Sequence, residues 1–275
     1  MKKRISFLTV LYAGISLVYL YPLALVAVNS FKKKAYISRA PFALPADRTF
    51  AGFANYQKGL ELTNFASAAL TSLFITLCSV GLILLCTSMC AWFVGRIRMR
   101  WTRGLYRLFV FSMVAPFQMV MFTLSKLANL LGLNTPWGIV LIYLGFGAGL
   151  SVFMFTGFVN ACPAAVEESA LMDGCSPLGL FFHIVWPILR PTAASVGILQ
   201  TMWIWNDYLL PYLVLDLKRF RTIPIAVQYL RGGYGSVDMG AMMAMLVLAI
   251  IPVVVFYLLC QKYIVSGVMA GAIKG

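Results

Sequence analysis

Acidic side chains are scarce in this sequence: eight Asp and Glu stand against 22 Lys and Arg in 275 residues. Charge of either sign is thin as well, at 11% of residues, where a soluble domain carries about 25%. There is one histidine, His183, so no histidine cluster can hold a metal. The six cysteines (Cys78, Cys86, Cys90, Cys162, Cys175, Cys260) contain no CxxC pair. All seven read as packing residues. No GxxxxGK[ST] phosphate loop, GxSxG elbow or HExxH helix occurs, and no carboxylates are paired for acid–base work. The chain has no visible means of hydrolysing ATP, and neither a metal nor any other cofactor is expected in it. Its net charge of +14 is spread among loops without interleaved aromatic platforms, so nucleic acid is not an expected partner.

What is abundant is apolar surface, with 61% of residues hydrophobic. Crossing about 30 Å of hydrocarbon takes about 20 apolar residues, and such runs occur at roughly 7–31, 66–94, 105–129, 137–159, 192–215 and 239–261. The expected fold is therefore all-α: a polytopic membrane protein with six transmembrane helices in one domain, 1–275, surrounded by lipid. The first run opens on Lys2, Lys3 and Arg4 like a signal peptide, but its apolar length exceeds an h-region of about 7–15 residues. It is expected to remain as a span.

Basic residues do not fix the orientation. A dense cluster, Arg96, Arg98, Arg100, Arg103 and Arg107, follows the second run, while Lys32, Lys33 and Lys34 follow the first and oppose it. Within the runs, Pro116 removes a backbone donor and should kink the third helix. Gly145 and Gly149 give the fourth a GxxxG spacing that admits a close neighbour, in this subunit or in another.

One segment interrupts the apolar pattern. Residues 163–191 read PAAVEESALMDGCSPLGLFFHIVWPILRP and hold Glu167, Glu168 and Asp173, three of the eight acids. Gly174 breaks the segment, and Ser176-Pro177 supplies an N-cap followed by a first-turn proline. Helix, glycine turn, helix is the expected local structure. The first helix is expected to expose its carboxylates, and the second to bury a face of Leu178, Phe181, Phe182, Val185 and Leu189. A soluble partner could dock on such a projection.

The fifth run is polar inside: QTMWIWNDYLLP places Gln200, Trp203 and Asp207 on one helical face with Asn206 adjoining. An ionised carboxylate near mid-membrane costs about 2.5–3.5 kcal/mol on insertion scales, so Asp207 should face a wet cavity or a bonded partner. An indole beside amide and carboxylate groups suits a sugar, which offers an apolar ring face and a rim of hydroxyls. Tying helices together is the competing role for Asn206 and Asp207.

Glu168-Ser169-Ala170, three residues, Gly174, then Ile184, Pro187 and Pro191 resemble the EAA loop of binding-protein-dependent ABC import permeases, especially the carbohydrate group related to the maltose permeases. Ser169 stands where the family usually has alanine, and Trp186 where it usually has leucine. Ser30-Phe31-Lys32, Asn55-Tyr56 and the WND triplet Trp205-Asn206-Asp207 also resemble family motifs, as does the tail containing Gly271, Lys274 and Gly275. The resemblance implies the type I ABC importer permease fold with both termini inside the prokaryotic cytoplasmic membrane. It further implies ATPase coupling through Glu167, Glu168, Ser169, Ala170, Asp173 and Gly174, and ATPase contact by the tail. Arg231, Gly232, Gly233 and Tyr234 match in position a loop that enters the solute-binding protein.

The implied partners are a second homologous permease in a heterodimer, two cytoplasmic ATPase subunits binding ATP and Mg, an extracytoplasmic solute-binding protein and a sugar. Two readings compete with an importer permease: an ion- or proton-coupled secondary transporter using Asp207, and a membrane scaffold, which the polar fifth run argues against.

Overall fold

The computed structural model describes residues 7–97, 99–230 and 238–272. In chain order the helices are α1 (Phe7–Ser30), α2 (Lys34–Arg39), α3 (Ala54–Thr63), α4 (Phe65–Arg96), α5 (Arg100–Ser112), α6 (Phe117–Leu130), α7 (Pro136–Ala161), α8 (Ala165–Met172) and α9 (Pro177–Leu180). A π turn, Phe181–Val185, leads into α10 (Trp186–Asn206), followed by α11 (Leu209–Val214), α12 (Ile223–Gln228) and α13 (Met239–Ala272). The described residues form no strand; one isolated bridge joins Lys32 and Phe50. Among the described residues, five helices are long and apolar enough to cross a membrane, or six if the bent pair α5 and α6 counts as one span.

The chain divides into two compact units. One takes the chain up to Ala68 with Ile223–Val254. Here the motif residues after α1 are knitted together. Asn55 donates from Nδ2 to the carbonyls of Ser30 and Lys32, both at 2.8 Å, and the Ser30 and Tyr56 hydroxyls share a 2.7 Å hydrogen bond. Phe31 lies among Phe50, Phe53 and Tyr56. Lys32 is buried, its ammonium donating to the carbonyls of Ala40 at 2.9 Å and Pro41 at 3.3 Å, and burial pulls its pKa below the ordinary lysine value. Asp238 caps α13 by accepting from Ala241 N–H and pairs with Lys58. Burial pushes its carboxyl up, yet those two partners hold it below the ordinary value.

The other unit takes Ala69–Thr222 and the chain from Val255 onward. Its centre is α7, opened by the Thr135 hydroxyl accepting from Gly138 N–H and by Pro136 in the first turn. One core gathers Ala91, Val152, Phe155 and Val159 with Leu180, Phe181, Val185 and Leu189; a second gathers Ile75, Ile83, Ile139 and Tyr143 with Ile204, Leu210 and Val214. Where one kinked helix was expected over 105–129, α5 and α6 meet at 102°. Pro116, extended at ψ 133°, is the N-cap of α6, so the missing donor ends one helix before the next begins.

The α7 glycines are used unequally. A Cβ on Gly149 would lie 2.9 Å from the Phe109 carbonyl oxygen of α5, and one on Gly147 would meet Ile83 of α4, whereas Gly145 faces open space. Close approach therefore rests on Gly147 and Gly149, not on the 145/149 pair. Gly149→Val should lower the unfolding free energy of the purified chain by about 1–3 kcal/mol through overpacking against α5 backbone. Gly145→Val should stay within about 0.5 kcal/mol. Thermal unfolding of the two variants distinguishes the positions, and equal melting of both with wild type would contradict the α5–α7 contact.

Candidate functional site

The 163–191 segment folds as helix, turn, helix. Gly174, at φ +82°, terminates α8 in the left-handed region, and Cys175 N–H returns to the Ala170 carbonyl at 3.0 Å. Ser176 Oγ accepts from Gly179 N–H at 3.2 Å and Pro177 occupies the first turn, so capping starts α9 where the sequence places it. The helix then continues through the π turn into α10, which makes one apolar helical run, Pro177–Asn206, of 30 residues.

The π turn changes the expected buried face. Trp186 N–H bonds to the Phe181 carbonyl, five residues back, just ahead of Pro187, which has no N–H to offer. The extra residue carries Leu180, Phe181, Val185 and Leu189 inward and leaves Leu178 and Phe182 exposed. Trp186 stacks at a tilt on Phe181, with ring centroids 6.2 Å apart, and Phe181 also meets Trp92 of α4 at 5.7 Å. The unusual tryptophan is thus accommodated in an aromatic cluster.

α8 does not expose all its carboxylates. Glu167 is buried, at 9% exposure, and is gripped from α4. Arg96 donates to it from Nη2 at 2.6 Å and from Nε at 3.0 and 3.1 Å, while Trp92 Nε1 donates at 2.8 Å. Arg96 Nη1 also reaches the Cys162 carbonyl at 3.2 Å, tying the entry of the segment to the same guanidinium. Residues 167 and 170 lie one helical turn apart, so Ala170 is buried beside Glu167. Glu168, Ser169 and Asp173 are exposed, along with Val166, Leu171 and Met172. Ser169 Oγ donates to its own helix, at the Ala165 carbonyl. One half of α8 is fastened to the protein and the other half is free.

A second polar cluster surrounds the end of α10. The expected shared face of Gln200, Trp203 and Asp207 does not form, because α10 ends at Asn206 and Asp207 is extended, at φ −72° and ψ 125°. Pro211 explains the break: in a continuous helix its ring would collide with the carbonyl of residue 207. The freed carboxylate caps α11, Oδ1 accepting from Leu209 N–H at 3.0 Å and Leu210 N–H at 3.4 Å, while Oδ2 accepts from Tyr143 OH at 3.0 Å. Tyr143, fully buried on α7, also meets Trp203 edge-to-face at 5.4 Å. Trp203 remains 41% exposed and Asn206 is exposed, its amide on the Met202 carbonyl. Gln200 instead is buried and ties α10 to α7, donating to the Gly147 carbonyl at 3.2 Å and Ser151 Oγ at 3.1 Å. Both bonds attach α10 to α7.

Arg96, Trp92 and Tyr143 were not singled out from sequence. Arg96 had a signal, as the first arginine after an apolar run and the last residue of α4; Tyr143 lies in an apolar run and had none. Gly271 falls in α13, and Arg231, Gly232, Gly233, Tyr234, Lys274 and Gly275 lie outside the described residues. No group of three or more His, Cys, Asp or Glu able to hold a metal occurs among the described residues.

Residues 87–269, which include α8, the π turn and α10, match the family model described as binding-protein-dependent transport system inner membrane component. The chain belongs to that family of permeases. The permease is 36% identical over 267 residues to the "Probable starch degradation products transport system permease protein AmyC" of Thermoanaerobacterium thermosulfurigenes, covering 97% of this chain and 96% of that one. It is 30% identical over 259 residues to the multiple sugar-binding transport system permease protein MsmG of Streptococcus mutans, covering 93% and 92%. Its fold is that of a subunit of a bacterial ABC transporter involved in the import of the acidic polysaccharide alginate, with a TM-score of 0.75, 24% identity and coverage of 92% and 94%. The permease is thus a multi-pass protein of the cytoplasmic membrane and a translocation subunit of an ABC importer.

The clamp on Glu167 has a measurable consequence. Removing one partner of a fully buried ion pair costs about 3–5 kcal/mol, an upper bound here because the Arg96 side chain is 21% exposed. Arg96→Ala should loosen α8 locally, so that maleimide labelling of half-buried Cys175 accelerates about tenfold for each 1.4 kcal/mol lost. Glu168→Ala, on the free half, should leave that rate unchanged. Equal labelling in wild type and Arg96→Ala would remove the clamp from the account.

Proposed function

We propose that the permease pairs with a second homologous permease to form the pathway for a sugar or oligosaccharide, driven by two cytoplasmic ATPase subunits and supplied by an extracytoplasmic solute-binding protein. The division of α8 carries this reading. A helix fixed on one side by Arg96 and Trp92 offers Glu168, Asp173 and the exposed Leu171 and Met172 on the other, as a rigid knob for a soluble subunit. Force applied to Glu168 reaches the membrane helices through Glu167 and through the helical run Pro177–Asn206. ATP and Mg belong to the ATPase subunits, and this chain neither binds nor hydrolyses nucleotide. The ATPases are cytoplasmic, so α8 and both termini lie inside; Gly271, Lys274 and Gly275 would extend the ATPase contact and Arg231–Tyr234 would face the binding protein.

Sugar is favoured as cargo because relatives across nearly the full length are named for starch degradation products, multiple sugars and arabinooligosaccharides. The partly exposed indole of Trp203, steadied by Tyr143, stands beside the Asn206 and Asp207 polar groups, and ring stacking with flanking hydrogen bonds is what a pyranose requires.

Two measurements test the two halves of the proposal. Glu168→Lys should abolish substrate-stimulated ATPase activity of the assembled complex while leaving insertion intact, and normal coupling in that variant would exclude docking through α8. Trp203→Ala should raise the KM for sugar uptake about tenfold, the loss of roughly 1.4 kcal/mol of stacking, with the ATPase still assembled. An unchanged KM would place sugar contacts in the partner permease.

A further inference from the structure

A cavity of about 560 Å³ opens between the ends of α4 and α7 and the first half of α5. Gly95, Arg103, Tyr106, Arg107, Thr156 and Asn160 line it. Arg103 and Arg107 stand one turn apart on α5, with Arg100 on the same face. Among the described residues no acidic side chain lines the cavity, and neither guanidinium has an ion-pair partner. Thr156 is 3% exposed, and its Oγ1 is buried with no hydrogen-bond partner. Two guanidinium forks, a phenol, an amide and an orphaned hydroxyl thus converge on one space. That donor set suits an anion with several oxygens, and arginine forks match phosphate geometry.

Size and setting select among phosphates. The cavity far exceeds the roughly 10–15 Å³ that admits one water, so it has room for a polyatomic headgroup. Beside its basic face α5 exposes Trp101, Leu108 and Phe111, at 53%, 65% and 72%. A helix whose arginines occupy its first two turns, with exposed Phe111 one turn beyond Arg107 and Trp101 and Leu108 beside that face, suits a membrane interface, and basic pockets between membrane helices take anionic headgroups. We propose that this cavity binds the headgroup of an anionic phospholipid. Arg103 and Arg107 engage the phosphate oxygens, Thr156 and Asn160 bond the headgroup hydroxyls, and the acyl chains run along Leu108 and Phe111. Gly95 contributes by being small: a Cβ there would lie 2.8 Å from Val159 and 3.3 Å from the Asn160 amide oxygen, displacing the amide that lines the cavity. The site shares no residue with the Arg96–Glu167 clamp and does not depend on which solute is carried.

The test uses the assembled importer purified in detergent and titrated with phosphatidylglycerol, phosphatidylcholine or inorganic phosphate, with binding read by native mass spectrometry. Phosphatidylglycerol should bind more tightly than phosphatidylcholine. The double substitution Arg103→Gln, Arg107→Gln should weaken it about thirtyfold, the factor two basic side chains contribute at an anionic surface. Asn160→Ala, which leaves the charge intact and so guards against a folding defect in the double variant, should weaken it about threefold, in line with one lost hydrogen bond. Equal affinity in wild type and variants, or equal affinity for the two lipids, would overturn the proposal. Inorganic phosphate binding as tightly as phosphatidylglycerol would overturn the lipid assignment.

Discussion

A single guanidinium organises the end of this protein that carries α8. Arg96 closes α4 and holds both oxygens of Glu167 and the carbonyl of Cys162, so the last turn of one long helix, the exit of another and the short helix after it are fixed by one planar group. Arginine suits this task because its fork presents several donors in a rigid plane. A lysine ammonium has donors enough but lacks the planar fork that meets both carboxylate oxygens side by side while reaching a separate carbonyl. Trp92 adds an indole N–H to the same carboxylate and a ring to Phe181, which connects the polar clamp to the apolar core beneath it. Adjacent glutamates thereby acquire opposite situations: Glu167 serves the chain's own architecture and Glu168 faces outward.

Helix periodicity explains why that division was hidden in the sequence. Two neighbouring glutamates on a short helix, with no long apolar stripe to define its buried side, do not reveal which one points inward. The answer lies on α4, 71 positions away from Glu167. The ends of α8 and α9 were legible, because glycine in the left-handed region and the Ser-Pro cap act within a few residues. The π turn was not: Leu178 and Phe182 end up exposed and Leu180 joins Phe181, Val185 and Leu189 inside, and a single inserted residue leaves no compositional trace. The end of α10 was legible in principle. Pro211 lies four residues after Asp207, which forbids an unbroken helix there, and the apolar run that continues through Leu209 and Leu210 concealed the break.

The ambiguous distribution of basic residues has a similar cause. Lys32 counts against the cluster after α4 when charges are tallied along the sequence, yet its ammonium is buried on backbone carbonyls in its own loop. Buried in that way, it is a structural donor that fastens the loop after α1, and its weight in a topological count is correspondingly small. Ser30, Phe31, Asn55 and Tyr56 belong to the same knot. The resemblance of these residues to family motifs therefore reflects a folding requirement as much as any contact with a partner.

The helical run Pro177–Asn206 joins the two polar regions physically. Thirty residues at 1.5 Å each reach about 45 Å, enough to cross the hydrocarbon core. Its first residues follow the turn at Gly174 from α8, and its last residue precedes Asp207, whose carboxylate holds α11 and the Tyr143 hydroxyl. Prolines at 187 and 191 lie near the α8 end, where the π turn already departs from regular geometry, whereas Gln200 bonds the opposite half firmly to α7. Irregular helix geometry thus lies beside α8 and the attachment to α7 lies nearer Trp203. In the coupling proposed for α8, a push would enter this run at the π turn and proline segment and would reach the Trp203 end together with α7, to which Gln200 ties α10. Under that proposal, transmission through this subunit would be a property of the α7–α10 pair, with the helical run as its lever and the amide of Gln200 as its fastening.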